Sequence, residues 1–172
     1  PVADLDAGTQ SFDSLVAGAA TAENPIYARL FNPTVARFEQ AIAALESTEA
    51  AVAFGSGMAA VSACLLAARQ CGEEILAVRP LYGTSDHLLR SGLLGVRVRF
   101  VEVEQIAASI TPQTGLVFIE TPANPNLDLI DIAEVVRQAG DVPVLVDSTF
   151  ATPVLQQPAT LGAALVLHSA TK

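Results

Sequence analysis

From Gly72 onward the chain alternates short apolar runs with longer segments of helical periodicity, and this alternation constrains the fold more than any other feature. Ile75 to Val78, Val96 to Val101, Gly115 to Ile119, Val142 to Val146 and Ala163 to Leu167 read as strands. Most of these runs are apolar at successive rather than alternate positions, so both faces of each strand need cover. Between them, Gly83 to Leu94, Gln105 to Ile110 and Asp131 to Ala139 read as helices. Strands covered on both sides and separated by helices predict a mostly parallel, doubly wound α/β sheet with helices on both faces.

Upstream, Val35, Phe38, Ile42 and Leu45 recur at helical spacing, with Thr34 as the predicted N-cap after Asn32-Pro33. Glu46 to Glu49 closes that helix. Ala51 to Phe54 reads as a short strand, and Gly55-Ser56-Gly57-Met58 then opens a helix of small residues running to about Gln70. Residues 1–33 lack regular periodicity and predict an extended arm with one short helix near Phe12 to Ala20. Such an arm can reach another subunit. The domain reading is an arm over residues 1–33 and a sheet domain over 34–172. With 172 residues, 51% hydrophobic, and a mean hydropathy of +0.45, the chain can bury one sizeable core.

Nine basic against eighteen acidic residues leave a net charge of −9, which argues against a nucleic-acid or anionic-membrane partner. Only 16% of residues are charged, which implies large subunit interfaces or a missing part of the chain. No apolar stretch reaches the roughly 18 residues of a membrane span, and no signal peptide is recognisable. The chain begins at Pro1 and its sole methionine is Met58, so it does not read as the start of an open reading frame. Cys64 and Cys71 lie about 10 Å apart along one helix, too far for a disulfide. Two reduced, buried thiols fit a cytoplasmic protein. His87 and His168 read as packing or hydrogen-bonding residues. There is no metal-ligand spacing and no Gly-x-Ser-x-Gly elbow.

In an open α/β sheet, chemistry sits just past the carboxyl ends of the strands. Gly55-Ser56-Gly57-Met58 combines a glycine turn with a helix N-terminus, so the Gly57 and Met58 amides could hold a phosphate; a plain tight turn would use the same residues. It matches neither the dinucleotide nor the nucleoside-triphosphate loop. Tyr82 could lie flat on an aromatic ligand or be structural. Asn124, between two prolines, could offer its amide to a ligand or simply make a turn. Asp147 ends a buried strand and needs a cationic partner, such as a protonated heterocycle, unless it caps the next helix. Arg29, beside Tyr27 in the arm, could fork onto a phosphate or lie on the surface. Lys172 follows the last strand beside two hydroxyls, where it is either a Schiff-base nucleophile or a surface lysine.

Six motifs in order along the chain resemble the cystathionine γ-synthase/γ-lyase family, the Cys/Met-metabolism branch of fold-type I pyridoxal-phosphate enzymes. They are Tyr27-x-Arg29-x-x-Asn32-Pro33-Thr34, Ser56-Gly57-Met58, Tyr82-Gly83, Glu120-Thr121-Pro122-Ala123-Asn124-Pro125, Asp147-x-Thr149-Phe150 and His168-Ser169-Ala170-Thr171-Lys172. The resemblance implies pyridoxal 5'-phosphate as cofactor, held by Lys172 as an internal aldimine, with Asp147 on the pyridinium nitrogen. It implies that Tyr82 stacks on the ring, that Asn124 bonds the ring hydroxyl and that Thr149 lies against the ring. Gly57, Met58, Ser169 and Thr171 would hold the phosphate, and Glu120 would lie on the substrate side. Tyr27 and Arg29 would reach a neighbouring active site in a homo-oligomer, a dimer of dimers.

The implied activity is a C–S bond lyase or synthase at the β- or γ-carbon of a sulfur-containing amino acid. O-acyl-homoserine sulfhydrylation is the enzymatic alternative, and a silent assembly subunit the non-enzymatic one. Three departures stand out. Ser148 replaces the usual asparagine, and Leu30-Phe31 replaces a commoner small polar pair. Thr84 stands where methionine γ-lyases usually carry cysteine, which points away from that specific activity. Family members also continue past the lysine, into a C-terminal domain with the arginine that binds the substrate carboxylate. The chain therefore reads as an N-terminal portion.

Overall fold

The structure is a computed structural model and describes residues 4–17, 28–29 and 31–172. The chain divides into two compact units, Pro1–Ala44 with Glu49–Ala53, and Leu45–Thr48 with Phe54–Lys172.

In the first unit, α1 (Leu5–Val16) occupies ground expected to be mostly extended. Asp4 explains its early start, since its Oδ1 accepts the Ala7 N–H at 2.8 Å and caps the helix. The far end of the expected helix, residues 18–20, lies outside the described residues. The second helix, α2 (Pro33–Glu46), is capped by Asn32 rather than Thr34. Asn32 Oδ1 accepts the N–H groups of Thr34 at 3.0 Å and Val35 at 3.3 Å. Pro33 takes the first helical position, where a missing N–H costs nothing. Residues 51–54 form no strand. The Ala53 N–H donates to Glu39 Oε1 at 2.7 Å instead of to a ladder partner.

The second unit carries α3 (Gly57–Ala67), β1 (Glu74–Val78), α4 (Gly83–Ser91), β2 (Arg97–Val101), α5 (Ile106–Ser109), β3 (Thr114–Glu120), α6 (Ile132–Ala139), β4 (Val144–Asp147), α7 (Thr152–Leu155) and β5 (Leu165–Leu167). All strands are parallel, in the order β2-β1-β3-β4-β5. Every residue of the central strand β3 is buried. Its Leu116 and Phe118 pack with Val61 and Leu65 of α3 and Leu89 of α4 on one face. Its Val117 and Ile119 pack with Ile106 of α5 and Ile132 and Val135 of α6 on the other. This is the doubly wound sheet that the apolar runs predict.

Two boundaries depart from the reading. α4 stops at Ser91 because Gly92 takes a left-handed φ of +70° at its C-cap. α7 went unforeseen, since its four residues include a proline and its Val154 and Leu155 are exposed, so no buried face marks it. Cys64 and Cys71 are free thiols, but Cys71 is exposed, just past the 3-10 turn Ala68–Gln70 that ends this helical stretch. Among the described residues no helix is long and apolar enough to cross a membrane.

Chain order places the site. β1 has β2 on one side and β3 on the other, so the loops leaving β1 and β3 diverge at a topological switch point, where open α/β sheets bind ligands.

Candidate active site

Asp147 ends β4 and is 6% exposed. Its Oδ1 accepts the Thr149 N–H at 3.1 Å and the Thr149 hydroxyl at 2.6 Å. It does not cap α7, which begins five residues later. Among the described residues nothing donates to Oδ2. Burial raises the Asp147 carboxyl above the usual range, opposed by the Thr149 hydrogen bonds and by the field of His168. A desolvated carboxylate with one open oxygen is a receptor for a cationic group.

Thr149 carries the network onward, accepting the Ser169 N–H on Oγ1 at 3.0 Å. Ser169 Oγ lies 3.3 Å from Thr171 Oγ1, and the Lys172 N–H donates to the Ser169 carbonyl at 3.2 Å. Ser169 also abuts the start of α3, where a Cβ added to Gly57 would lie 3.0 Å from Ser169 Cβ and 3.1 Å from its Oγ. That close approach leaves little room for a side chain at position 57. α3 is capped by Ser56, whose Oγ accepts the Ala59 N–H at 3.1 Å. Its first main-chain bond is Ala60 N–H to Ser56 O, so the Gly57 and Met58 amides precede the helical ladder. Two open amides, two hydroxyls and a positive helix end at one point make an anion cradle. Met58 also packs into the core and receives the Ser85 hydroxyl on Sδ at 3.7 Å.

Across the switch point, Tyr82 is the N-cap of α4 and is 41% exposed, with its backbone N–H held at 2.5 Å by Glu120 Oε2. Glu120 Oε1 accepts the Asn124 N–H at 2.9 Å. Glu120 is 5% exposed and is the register partner of Asp147. Burial raises its carboxyl, the Asn124 and Tyr82 amides lower it, and the charge of Asp147 raises it again. The loop beyond β3 is closed by Thr121 Oγ1, which accepts the Ile130 N–H at 2.9 Å, and by a bridge between Ala123 and Asp128.

The fold thus joins Gly57, Ser169, Thr171, Thr149 and Asp147 in one chain of contacts, and Tyr82, Glu120 and Asn124 in a second. The register of β3 and β4 links the two. Lys172 is exposed beside Ser169. Arg29 is exposed in the first unit, and Tyr27 lies outside the described residues.

A group that the motifs did not single out lies behind the site. Glu46, 2% exposed, bonds His168 Nε2 through Oε1, while its Oε2 is buried without a partner among the described residues. Only the helical spacing of α2 and the position of His168 beside Ser169 hint at it, 122 residues apart in sequence.

Residues 6–172 match the family described as Cys/Met metabolism PLP-dependent enzyme. Proteins named L-methionine gamma-lyase from Brevibacterium aurantiacum and Streptomyces avermitilis are 57% and 55% identical to it. Each comparison takes in 100% of this chain, but 43% and 42% of the relative, so the chain spans less than half of their length. The crystal structure of metB from Corynebacterium glutamicum superposes with a TM-score of 0.79 at 38% identity, covering 87% of this chain and 41% of that one. Cystathionine gamma-lyase from Micromonospora echinospora gives 0.78 at 41% identity, covering 89% and 43%. At these identities the sheet is a fold-type I large-domain sheet. With the match running from residue 6 to residue 172, the chain belongs to the Cys/Met metabolism PLP-dependent enzyme family.

Proposed function

We propose that the full-length protein is a pyridoxal-phosphate-dependent carbon–sulfur lyase acting on a sulfur-containing amino acid, with Lys172 as the residue that carries the cofactor. The observation behind this reading is the chain Asp147–Thr149–Ser169, which ties a buried carboxylate in need of a cation to a turn suited to an anion. Pyridoxal phosphate has both complements, a ring nitrogen that binds a proton and a phosphate. Asp147 Oδ2 is the acceptor left open for the ring N–H. The Gly57 and Met58 amides with the Ser169 and Thr171 hydroxyls suit the phosphate. When bound, the cofactor supplies an electron sink that acidifies the substrate's α-hydrogen.

The protein's own residues do the remaining work. Asp147 keeps the ring nitrogen protonated, Tyr82 covers one ring face, and Asn124 offers its amide to the ring hydroxyl. Thr149 packs against the ring while orienting Asp147. Lys172 Nζ, a primary amine on a flexible four-carbon stem, takes and returns protons at the substrate carbons. Tyr27 and Arg29, in an arm over residues 1–33, reach the phosphate of a neighbouring subunit in a cytoplasmic homotetramer built as a dimer of dimers. Support for this last part is the motif order and the exposure of Arg29.

L-methionine is the first substrate we assign. Thr84, at the start of α4, points away from it, but one position weighs less than 55–57% identity across the whole chain to relatives bearing that activity's name. Cystathionine is the second, because a solved relative at 41% identity is a cystathionine gamma-lyase. Incubating the full-length enzyme with methionine, cystathionine, or an O-acyl-homoserine plus sulfide tests the assignment. We expect ammonia and an α-keto acid from methionine. Release from cystathionine alone moves the substrate, and release from neither, with the thiol homocysteine formed from the ester and sulfide and the carboxylate released, overturns the lyase reading.

A further inference from the structure

We propose that Glu120 is a positioning residue, a single carboxylate that sets both sides of the cofactor's ring seat and does not touch substrate. The inference rests on the ring-binding roles given above to Tyr82 and Asn124. Those residues come from different loops, one leaving β1 and one leaving β3, which diverge at the switch point. Glu120 spans the divergence, with Oε2 on the Tyr82 N–H and Oε1 on the Asn124 N–H.

Each loop is then fixed on a second side. The Tyr82 carbonyl accepts the Asp86 N–H at 3.0 Å as the first bond of α4, and the Ala123 N–H donates to the Asp128 carbonyl at 3.0 Å. With the backbone held on both flanks, the phenol and the amide are placed to within their own rotamers. Each Glu120 oxygen already accepts a backbone N–H and the residue is 5% exposed, so burial keeps its remaining lone pairs from a substrate. Only a carboxylate offers two acceptors and no donor. Glutamine would set its NH2 against one of the two amides and release that loop, and aspartate is one methylene too short to span both.

The test uses the full-length holoenzyme and its Glu120→Gln variant. Covalent cofactor at Lys172 should stay within about twofold of wild type, while the visible circular dichroism per bound cofactor falls by about half or more. The kcat should drop about 10- to 100-fold with KM changed less than about threefold, the signature of misplaced reacting groups. A KM raised about tenfold or more with unchanged dichroism identifies a substrate contact and overturns the proposal, as do unchanged kinetics and dichroism. If Glu120→Gln does not fold, amide exchange in the wild type decides. The Tyr82 and Asn124 N–H groups should exchange about 100-fold slower than an unstructured chain, and exchange at the unstructured rate overturns the clamp. That arm does not depend on activity. Absence of a label at Lys172 in the wild type counts instead against the functional reading.

Discussion

Asp147 is costly to bury as a carboxylate, and the protonated ring nitrogen proposed for it would offset that cost. Burial raises its carboxyl, and Thr149 and His168 only partly offset this. A carboxyl whose folded pKa exceeds its unfolded one stabilises the fold fully below the ordinary value. That contribution is lost as pH rises through the raised value. At neutral pH the cofactor-free protein therefore carries a destabilising charge that a protonated ring nitrogen would offset. Asp147→Asn keeps an acceptor for Thr149 and removes the charge. By differential scanning calorimetry, the cofactor-free variant should unfold at a higher temperature than wild type at pH 7. The gap should close as the pH approaches about 4, near the ordinary carboxyl value. The holoenzyme variant should lose on the order of 100-fold in kcat, since the charge stabilising the transition state is gone. Equal melting temperatures across the pH range, or near-normal turnover, would contradict this role.

At the scale of elements, the start of α3 and the turn after β5 behave as one unit. Gly57 meets Ser169 at 3.0 Å, while Gly55, two residues earlier, has nothing within 4 Å of its would-be Cβ. Gly57→Ala should force Ser169 outward and weaken cofactor binding by about tenfold or more, about 1.4 kcal/mol, in a fluorescence titration of the apoenzyme. Gly55→Ala should leave it unchanged, and equal effects of the two would contradict a contact specific to Gly57.

The sequence showed the glycine turn, but not which glycine bears the contact, because Ser169 is 112 residues away. The same limit runs through the fold. Strands β1, β3 and β4 were legible because continuous burial leaves an unmixed apolar signal, whereas the edge strand β2 alternates Arg97 and Arg99 with apolar residues. The cap on α2 was missed because Asn32 and Thr34 are both good caps, and only geometry chooses between them. Residues 51–54 look like a strand by composition, but a ladder needs a neighbour, and Glu39 takes the Ala53 amide instead. The candidate residues at strand ends rest on position alone. The joint hold of Glu120 on two loops, and the pairing of Glu46 with His168, are tertiary facts without local pattern.

On the scale of the whole molecule, a chain with a net charge of −9 would hold the phosphate proposed above with little positive charge. Two amides at the head of an eleven-residue helix and two hydroxyls supply directed dipoles, which net charge barely opposes at hydrogen-bond range. Lys172 follows Thr171 at this turn, and the proposed function depends on what it carries. Borohydride reduction of the freshly purified full-length protein, followed by peptide mapping, tests this directly. One pyridoxyl group per chain, on Lys172, is the expected result. A label on another residue, or none, would contradict it.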